Sequence, residues 1–206
     1  MPESSRLRRC DFCRTPRVTT GSTLGFTLIE LMTVIAIIAI LLGIAAPSVQ
    51  GLMQNASMSA VANDLLGDLA LARSEAIKRN VRVAICSSST GLACTGGTAL
   101  RPAAWEVGRI VFVDTNQNGL RDAGEEILKA APEAPVGNRV AAVRDAGAGE
   151  ARTVHYRPSG SMPSGGENVE FRLCDERTGA AAATAGRTIT INNTGRAVVT
   201  RRNCNA

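Results

Sequence analysis

The chain offers a single histidine, His155, for imidazole chemistry. Any Ser-His-Asp or Cys-His mechanism would have to use it. It sits in the alternating segment Thr153-Val154-His155-Tyr156-Arg157, and no G-x-S-x-G nucleophile motif accompanies it. A lone strand histidine of this kind is a surface or internally satisfied side chain, so neither catalysis nor a resident cofactor is expected. Acid is missing from the last 29 residues, Thr178 to Ala206, which nevertheless hold Arg187, Arg196, Arg201 and Arg202. Aromatics are missing there too, which excludes base stacking and leaves only backbone-led, sequence-blind phosphate contact as a nucleic-acid reading. The competing reading is a solvated strand edge whose positive charge blocks edge-to-edge aggregation. Internal repeats and domain-scale linkers are also lacking.

Charge is nearly absent from the 21 residues Phe26 to Ala46. That length suits the ~20 residues needed to span hydrocarbon. It exceeds the ~7–15 of a secretory h-region, and Ala45-Ala46-Pro47 is a poor cleavage site because proline follows it. The exception is Glu30. A charged side chain within a bilayer costs roughly 2.5–3.5 kcal/mol on insertion scales. A buried charge is tolerable only when paired, and nothing nearby in sequence can pair it.

A basic leader ending in Gly25, then Phe26-Thr27-Leu28-Ile29-Glu30 and an apolar helix, resembles the type IV prepilin signal. The resemblance implies cleavage after Gly25 by a prepilin peptidase and N-methylation of the new Phe26 amine. It further implies that Glu30 pairs with the free amine of a neighbouring subunit's Phe26 and sets axial register in a filament. The implied divisions are a cytoplasmic leader over residues 1–25, a membrane helix over 26–46, its amphipathic continuation over 47–80 and a periplasmic head over 81–206. Pro47 marks the end or kink of the membrane segment, because proline removes a hydrogen bond and clashes with the preceding turn.

The formal net charge of +5 suggests a nucleic-acid partner until it is divided. Five arginines against Glu3 and Asp11 give the leader +3, which reads as the positive-inside rule at work. The mature part keeps only +2. Cysteines divide likewise, with Cys10 and Cys13 in the leader and Cys86, Cys94, Cys174 and Cys204 beyond it. Cys10 and Cys13 lack the second pair of ligands that a structural zinc site needs. In an oxidising periplasm the other four predict the disulfides Cys86–Cys94 and Cys174–Cys204, although four cysteines allow three connectivities.

From Val49 the apolar positions Met53, Ala56, Ala60, Val61, Leu65, Leu69, Ala72 and Ala76 recur at spacings of mostly three and four, predicting one buried helical stripe as far as a C-cap near Asn80. Lys78 and Arg79 suit the negative end of that helix. The pattern then changes to period two. Half-buried strands are predicted at Val81–Cys86, Trp105–Val113, Glu126–Lys129, Arg139–Val143, Thr153–Tyr156, Val169–Cys174, Thr188–Asn192 and Ala197–Thr200. Asn193-Thr194-Gly195 reads as a hairpin turn, while Ser87–Ala99 and Ala180–Gly186 read as loops. The fold class is α+β: a long N-terminal helix against an antiparallel β-rich head.

Asp114, Asn116, Asn118, Gly119 and Glu125 match the calcium-loop template D-x-[DN]-x-[DN]-G-x5-E in full. Its oxygens would come from Asp114, Asn116, Asn118, the Leu120 carbonyl, Asp122 through water and a bidentate Glu125. An EF-hand is flanked by helices, whereas strands flank this segment. A hairpin connection with Asn and Gly in left-handed turn conformations is therefore expected in preference to a calcium site.

The stretch Ala72-Arg73-Ser74-Glu75-Ala76-Ile77-Lys78-Arg79-Asn80, the Trp105 segment with Phe112-Val113-Asp114, and Thr194-Gly195-Arg196 resemble the GspH/FimT branch of type IV pilin-like proteins. The branch implies a minor pilin or minor pseudopilin, a structural subunit at or near a filament tip in type IV pilus assembly or type II secretion. It implies an inner-membrane, single-pass protein. Its partners would be other minor and major pilins or pseudopilins and the prepilin peptidase/methyltransferase. Some FimT-type members capture DNA through a basic C-terminal segment, so the alternative implied is DNA binding by Arg187, Arg196, Arg201 and Arg202.

Overall fold

A computed structural model describes residues 25–95, 104–144, 151–162 and 168–205. The leader, with Cys10 and Cys13, lies outside them. The chain forms two compact units that divide between Ala46 and Pro47. Helix α1, Leu28–Arg79, runs through that division, and eight strands follow it. They are β1 Val83–Ser87, β2 Arg109–Val113, β3 Ile127–Ala131, β4 Asn138–Arg144, β5 Thr153–Tyr156, β6 Val169–Asp175, β7 Gly186–Ile191 and β8 Ala197–Arg202. Two antiparallel four-stranded sheets result, in the orders β3-β2-β1-β5 and β4-β6-β7-β8.

In the first unit Thr27 starts the helix as its N-cap: its Oγ1 accepts the backbone N–H of Glu30 at 3.2 Å. Thr27-Leu28-Ile29-Glu30 has the spacing of a capping box, in which an acid three residues past the cap also suits the positive end of the helix dipole. The apolar side chains from Leu28 to Ile44 are exposed around the whole helix. Among the described residues no single helix is long and apolar enough to cross a membrane. The segments Leu28–Ile44 and Val49–Arg79 meet that test only as a pair.

In the second unit the helix buries Met58, Val61, Ala62, Leu65, Leu69, Ala72 and Ala76 against Val83, Ile85, Val111, Val154 and Tyr156 of one sheet and Val140, Phe171, Leu173, Ile189 and Ile191 of the other. The buried stripe thus begins at Met58, later than the periodicity suggests. Met53 is 67% exposed, and Ala56 and Ala60 are exposed as well. The head first reaches the helix with polar groups: Arg177 Nη1 donates to Asn55 Oδ1 at 2.9 Å and Asn138 Nδ2 to Ser57 Oγ at 3.0 Å. Apolar packing starts one turn further on. At the far end Asn80 adopts φ 55°, the left-handed conformation of a C-terminal cap.

Strand β6 alternates buried and half-buried residues, as a sheet with one solvated face should. Strands β1 and β2 do not, since all ten of their residues are buried. Val83, Ile85 and Val111 face the helix, whereas Ala84, Cys86, Ile110 and Phe112 form a second cluster with Cys94 and Ile127. The Cys86–Cys94 disulfide ties the following loop to that second cluster. Trp105 is placed before β2, outside any strand. It is buried, with Nε1 donating to the Ala151 carbonyl at 2.9 Å and its ring edge-on to Phe171 at 4.8 Å. Gly179–Thr184 is a short 3-10 helix and not an irregular loop. Asn205 Nδ2 donates to Gly179 O at 2.7 Å and the Cys204 N–H to Ala182 O at 3.1 Å, beside the Cys174–Cys204 disulfide.

Candidate functional site

Two of the three branch-like stretches of sequence meet at one place in the head. Arg73, on the helix, donates from Nε to Gly160 O at 3.0 Å and from Nη2 to Thr194 O at 3.2 Å. One side chain thereby ties together the turn after β5 and the β7–β8 turn. In the latter, the Gly195 N–H donates to Asn192 O at 2.8 Å and Asn192 Oδ1 accepts the Arg196 N–H at 2.9 Å. Gly195 has φ +77°, and a Cβ there would overlap the Gly160 carbonyl oxygen and stand 3.0 Å from Tyr156. Gly195→Ala combines a left-handed backbone with a backbone clash, so it should cost roughly 2–4 kcal/mol. Urea denaturation followed by the fluorescence of Trp105, the chain's one tryptophan, measures this. A loss within about 0.5 kcal/mol would mean the turn yields without strain.

The helix is further fixed to the first sheet by Asp68, which is 0% exposed. Its carboxylate receives Arg109 Nε from the start of β2 and lies 2.5 Å from Lys129 Nζ of β3. Asp68 falls on the buried face three residues after Leu65, and that phase was the available signal for an acid needing an internal partner.

The segment matching the calcium template joins β2 to β3 as a hairpin connection. Asp114 is fully buried and turned toward Arg82, whose Nε stands 3.0 Å from its Oδ2, while Arg82 Nη1 donates to Gln117 O at 2.9 Å. Glu125 Oε1 accepts the N–H and hydroxyl of Thr115, and its Oε2 accepts the Asp122 N–H. Asn116 and Asn118 both donate side-chain N–H groups to Asp122, and the Leu120 N–H donates to Asn118 Oδ1. Apart from Asp114 Oδ1, the ligand oxygens thus spend themselves on internal donors, and a guanidinium already stands against Asp114. Among the described residues no three His, Cys, Asp or Glu are grouped to hold a metal. This arrangement does not fit a calcium ion.

Arg187 and Arg201 face each other across β7 and β8, and two of the four C-terminal arginines have partners within the head. Arg187 Nη1 donates to the carbonyls of Thr184, Ala185 and Gly186, capping the 3-10 helix, and Arg202 Nη1 pairs with Glu170 at 3.5 Å. Arg196 and Arg201 are exposed.

In the first unit, Phe26 is 85% exposed and Glu30 lies in the first turn of α1. Glu30 is the only charged residue from Phe26 to Asn63. The side chain of Pro47, which the sequence marks as the end of the membrane segment, lies outside the described side chains.

Residues 61–195, more than half of the chain, match the family described as Type II transport protein GspH. Residues 22–46 match the Prokaryotic N-terminal methylation motif. A search of the curated proteins found no match. Among solved structures, the chain is similar to the type IV minor pilin FimU of Pseudomonas aeruginosa strain PAO1 in two crystal forms. One gives a TM-score of 0.47 at 16% identity, covering 69% of this chain and 87% of that one. The other gives 0.44 at 17% identity, covering 69% and 91%.

Proposed function

The chain belongs to the GspH family of type II transport proteins, and from that premise we propose that it works by polymer contact, with Glu30 as the group that places it in a filament. It is a minor pilin or pseudopilin, a membrane-anchored structural subunit of a pilus-like assembly. The proposal concerns how it enters that assembly. Cleavage after Gly25 frees the Phe26 amine, which is then methylated. The amine lies beside the acid of a neighbouring subunit, and Glu30 lies beside the neighbour's amine. The supporting observation is a single carboxylate on a helix exposed around its whole circumference, within residues that match the methylation motif. Such a helix needs a lipid or helical partner on every side, and its one charge needs a partner of opposite sign. The head then sits on the periplasmic side of the inner membrane, where its disulfides are stable. Its neighbours are other minor and major subunits at or near the tip, and its processing enzyme is the prepilin peptidase.

Gly25→Ala, produced with a prepilin peptidase, is expected to remain at precursor size on a gel while the unaltered chain is shortened and carries N-methylphenylalanine by mass spectrometry. Equal shortening of both would remove the processing step from the proposal. DNA capture has less support than the sequence offers, because Arg187 and Arg202 are committed inside the head and the exposed pair Arg196 and Arg201 would release only about two counterions.

A further inference from the structure

Strand β8 ends its sheet, and among the described residues no strand or bridge pairs with its outer side. Val198, Val199, Thr200 and Arg201 are exposed in succession. The Asn192 N–H donates to Arg196 O, so the alternation of an antiparallel pair turns the backbone groups of Val198 and Thr200 toward β7. Those of Ala197, Val199 and Arg201 point away from it. An open edge of this kind is a template for a further strand. Both of its ends are held, one by the bond from Arg73 to Thr194 O in the β7–β8 turn and the other by the Cys174–Cys204 disulfide. Little ordering of the edge is left to oppose binding.

Beside this edge one flank of the helix is incompletely covered. Leu66, Ala70, Arg73 and Ile77 recur there at spacings of three and four, and with Tyr156 and Ala197 they line a groove of about 520 Å3. Ile77 is 51% exposed and Leu66 half-buried. Ala197 and Val199 pair with Ile191 and Ile189, which are buried with the helix, so their row of side chains lies on the helix side of the sheet. The same row of a strand laid along β8 would face the groove. Charge then selects the occupant. Arg73 and Arg196 line the groove and Arg201 is exposed on the edge, and none of the three forms a salt bridge among the described residues. A second copy pairing through its own β8, antiparallel and with strand ends aligned, would set arginine against arginine, which is unfavourable. An acidic strand meets the opposite condition. Arg196 and Arg201 are five positions apart, about 17 Å along extended chain, and two acids at that spacing on an antiparallel partner fall opposite both.

We propose that β8 is an acceptor edge for an extended segment of a neighbouring subunit, one that carries two acids five positions apart with apolar residues between them. The segment adds as a fifth strand of the sheet, pairs with the outward backbone groups of Val199 and Arg201, and lays its inward side chains in the groove. That the donor is a filament subunit rests on the assembly proposed above, whereas the open edge and its charge do not.

The probe is a fluorescein-labelled peptide, Thr-Glu-Thr-Val-Thr-Val-Glu-Thr-amide, added to the full chain in zwitterionic detergent micelles and followed by fluorescence anisotropy. It is expected to bind with Kd below about 500 μM, and the same peptide with lysine for both glutamates at least about tenfold more weakly. Amide hydrogen exchange by NMR separates strand addition from loose charge attraction. Saturating peptide should slow exchange at Val199 and Arg201 by about tenfold or more and leave Val198 and Thr200, already bonded to β7, unchanged. Val199→Pro removes an outward donor without touching the β7 ladder and should abolish binding. Should that variant unfold, Arg196→Glu/Arg201→Glu keeps the strand and should reverse the preference in favour of the lysine peptide. All of this is measured outside any filament, so its failure and a failure of Glu30 pairing are read separately. The proposal is overturned if the lysine peptide binds the unaltered chain as tightly as the acidic one, if Val199 and Arg201 stay unprotected, or if the charge-reversed variant keeps its preference for acid. Tighter binding of an eight-residue oligothymidylate than of the acidic peptide would assign the arginines to phosphate and overturn it too. So would protection of the same two amides that rises with protein concentration and no peptide, which would give the edge to a second copy.

Discussion

Asp68→Ala is expected to destabilise the head by about 3–5 kcal/mol, because removing one partner of a buried pair leaves the other charge uncompensated. Arg109 is 6% exposed at the start of β2 and would keep its guanidinium inside with no carboxylate to receive it. Lys129 is different: its side chain is 44% exposed, so it can turn to water once Asp68 is gone. Lys129→Ala should therefore cost less than about 1 kcal/mol. Urea unfolding of the full chain in detergent, read by Trp105 fluorescence, gives both values. The double variant Asp68→Leu/Arg109→Met should recover most of the loss, since a buried ion pair replaced by apolar groups of similar volume is often neutral or stabilising. A loss under about 1 kcal/mol for Asp68→Ala would mean that Arg109 finds another acceptor and that the pair does not hold the helix to the sheet.

What could be read from the sequence depended on whether a residue's surroundings are local. The strands at β5, β6 and β7 and the helix from Met58 to Arg79 follow from period and cap, because each buries one face and leaves the other more polar, whereas β8 is exposed or half-buried along its whole length and follows from the turn before it. Strand β1 breaks the rule through a partner distant in sequence. The loop held by Cys94 and the side chains of β2 cover its second face, so Ala84 and Cys86 are as buried as Val83 and Ile85. Trp105 looked like strand because aromatics favour strands, but its indole N–H is satisfied by the Ala151 carbonyl, far along the chain. The charged groups misled most. Counting four C-terminal arginines could not reveal that Arg187 caps a 3-10 helix or that Arg202 turns to Glu170. Likewise the complete calcium template carried no sign that Arg82, thirty-two residues before Asp114, already supplies the positive charge. By contrast Arg73, Thr194 and Gly195, legible only as a family-like signature, prove to be a packing device in which one guanidinium and one left-handed glycine close two turns on the helix.

Glu30→Ala is expected to be processed normally yet to enter filaments at least a hundredfold less than the unaltered chain. Two accounts of this acid differ in magnitude. As the third residue after the Thr27 cap, Glu30 suits the helix dipole, an effect worth about 0.3–1 kcal/mol, which would change incorporation by no more than about fivefold. As the partner of a neighbour's Phe26 amine in a water-poor setting, it is half of a charge pair, and losing it strands an ammonium at a cost of about 3–5 kcal/mol. The signs also separate. Alanine removes a carboxylate that costs roughly 2.5–3.5 kcal/mol in hydrocarbon, so the isolated subunit should sit more stably in the membrane while its assembly fails. Glu30→Gln sharpens the test, because glutamine serves a capping box as well as glutamate but carries no charge. If the pair governs, Glu30→Gln fails to assemble almost as completely as Glu30→Ala, and Glu30→Asp, charged but shorter, recovers part of the incorporation. Filaments sheared from cells and quantified by immunoblot against total membrane-held subunit give the ratio. Incorporation of Glu30→Gln at the unaltered level would leave Glu30 as a helix-starting residue and place register elsewhere, in the packing of the apolar side chains from Leu28 to Ile44.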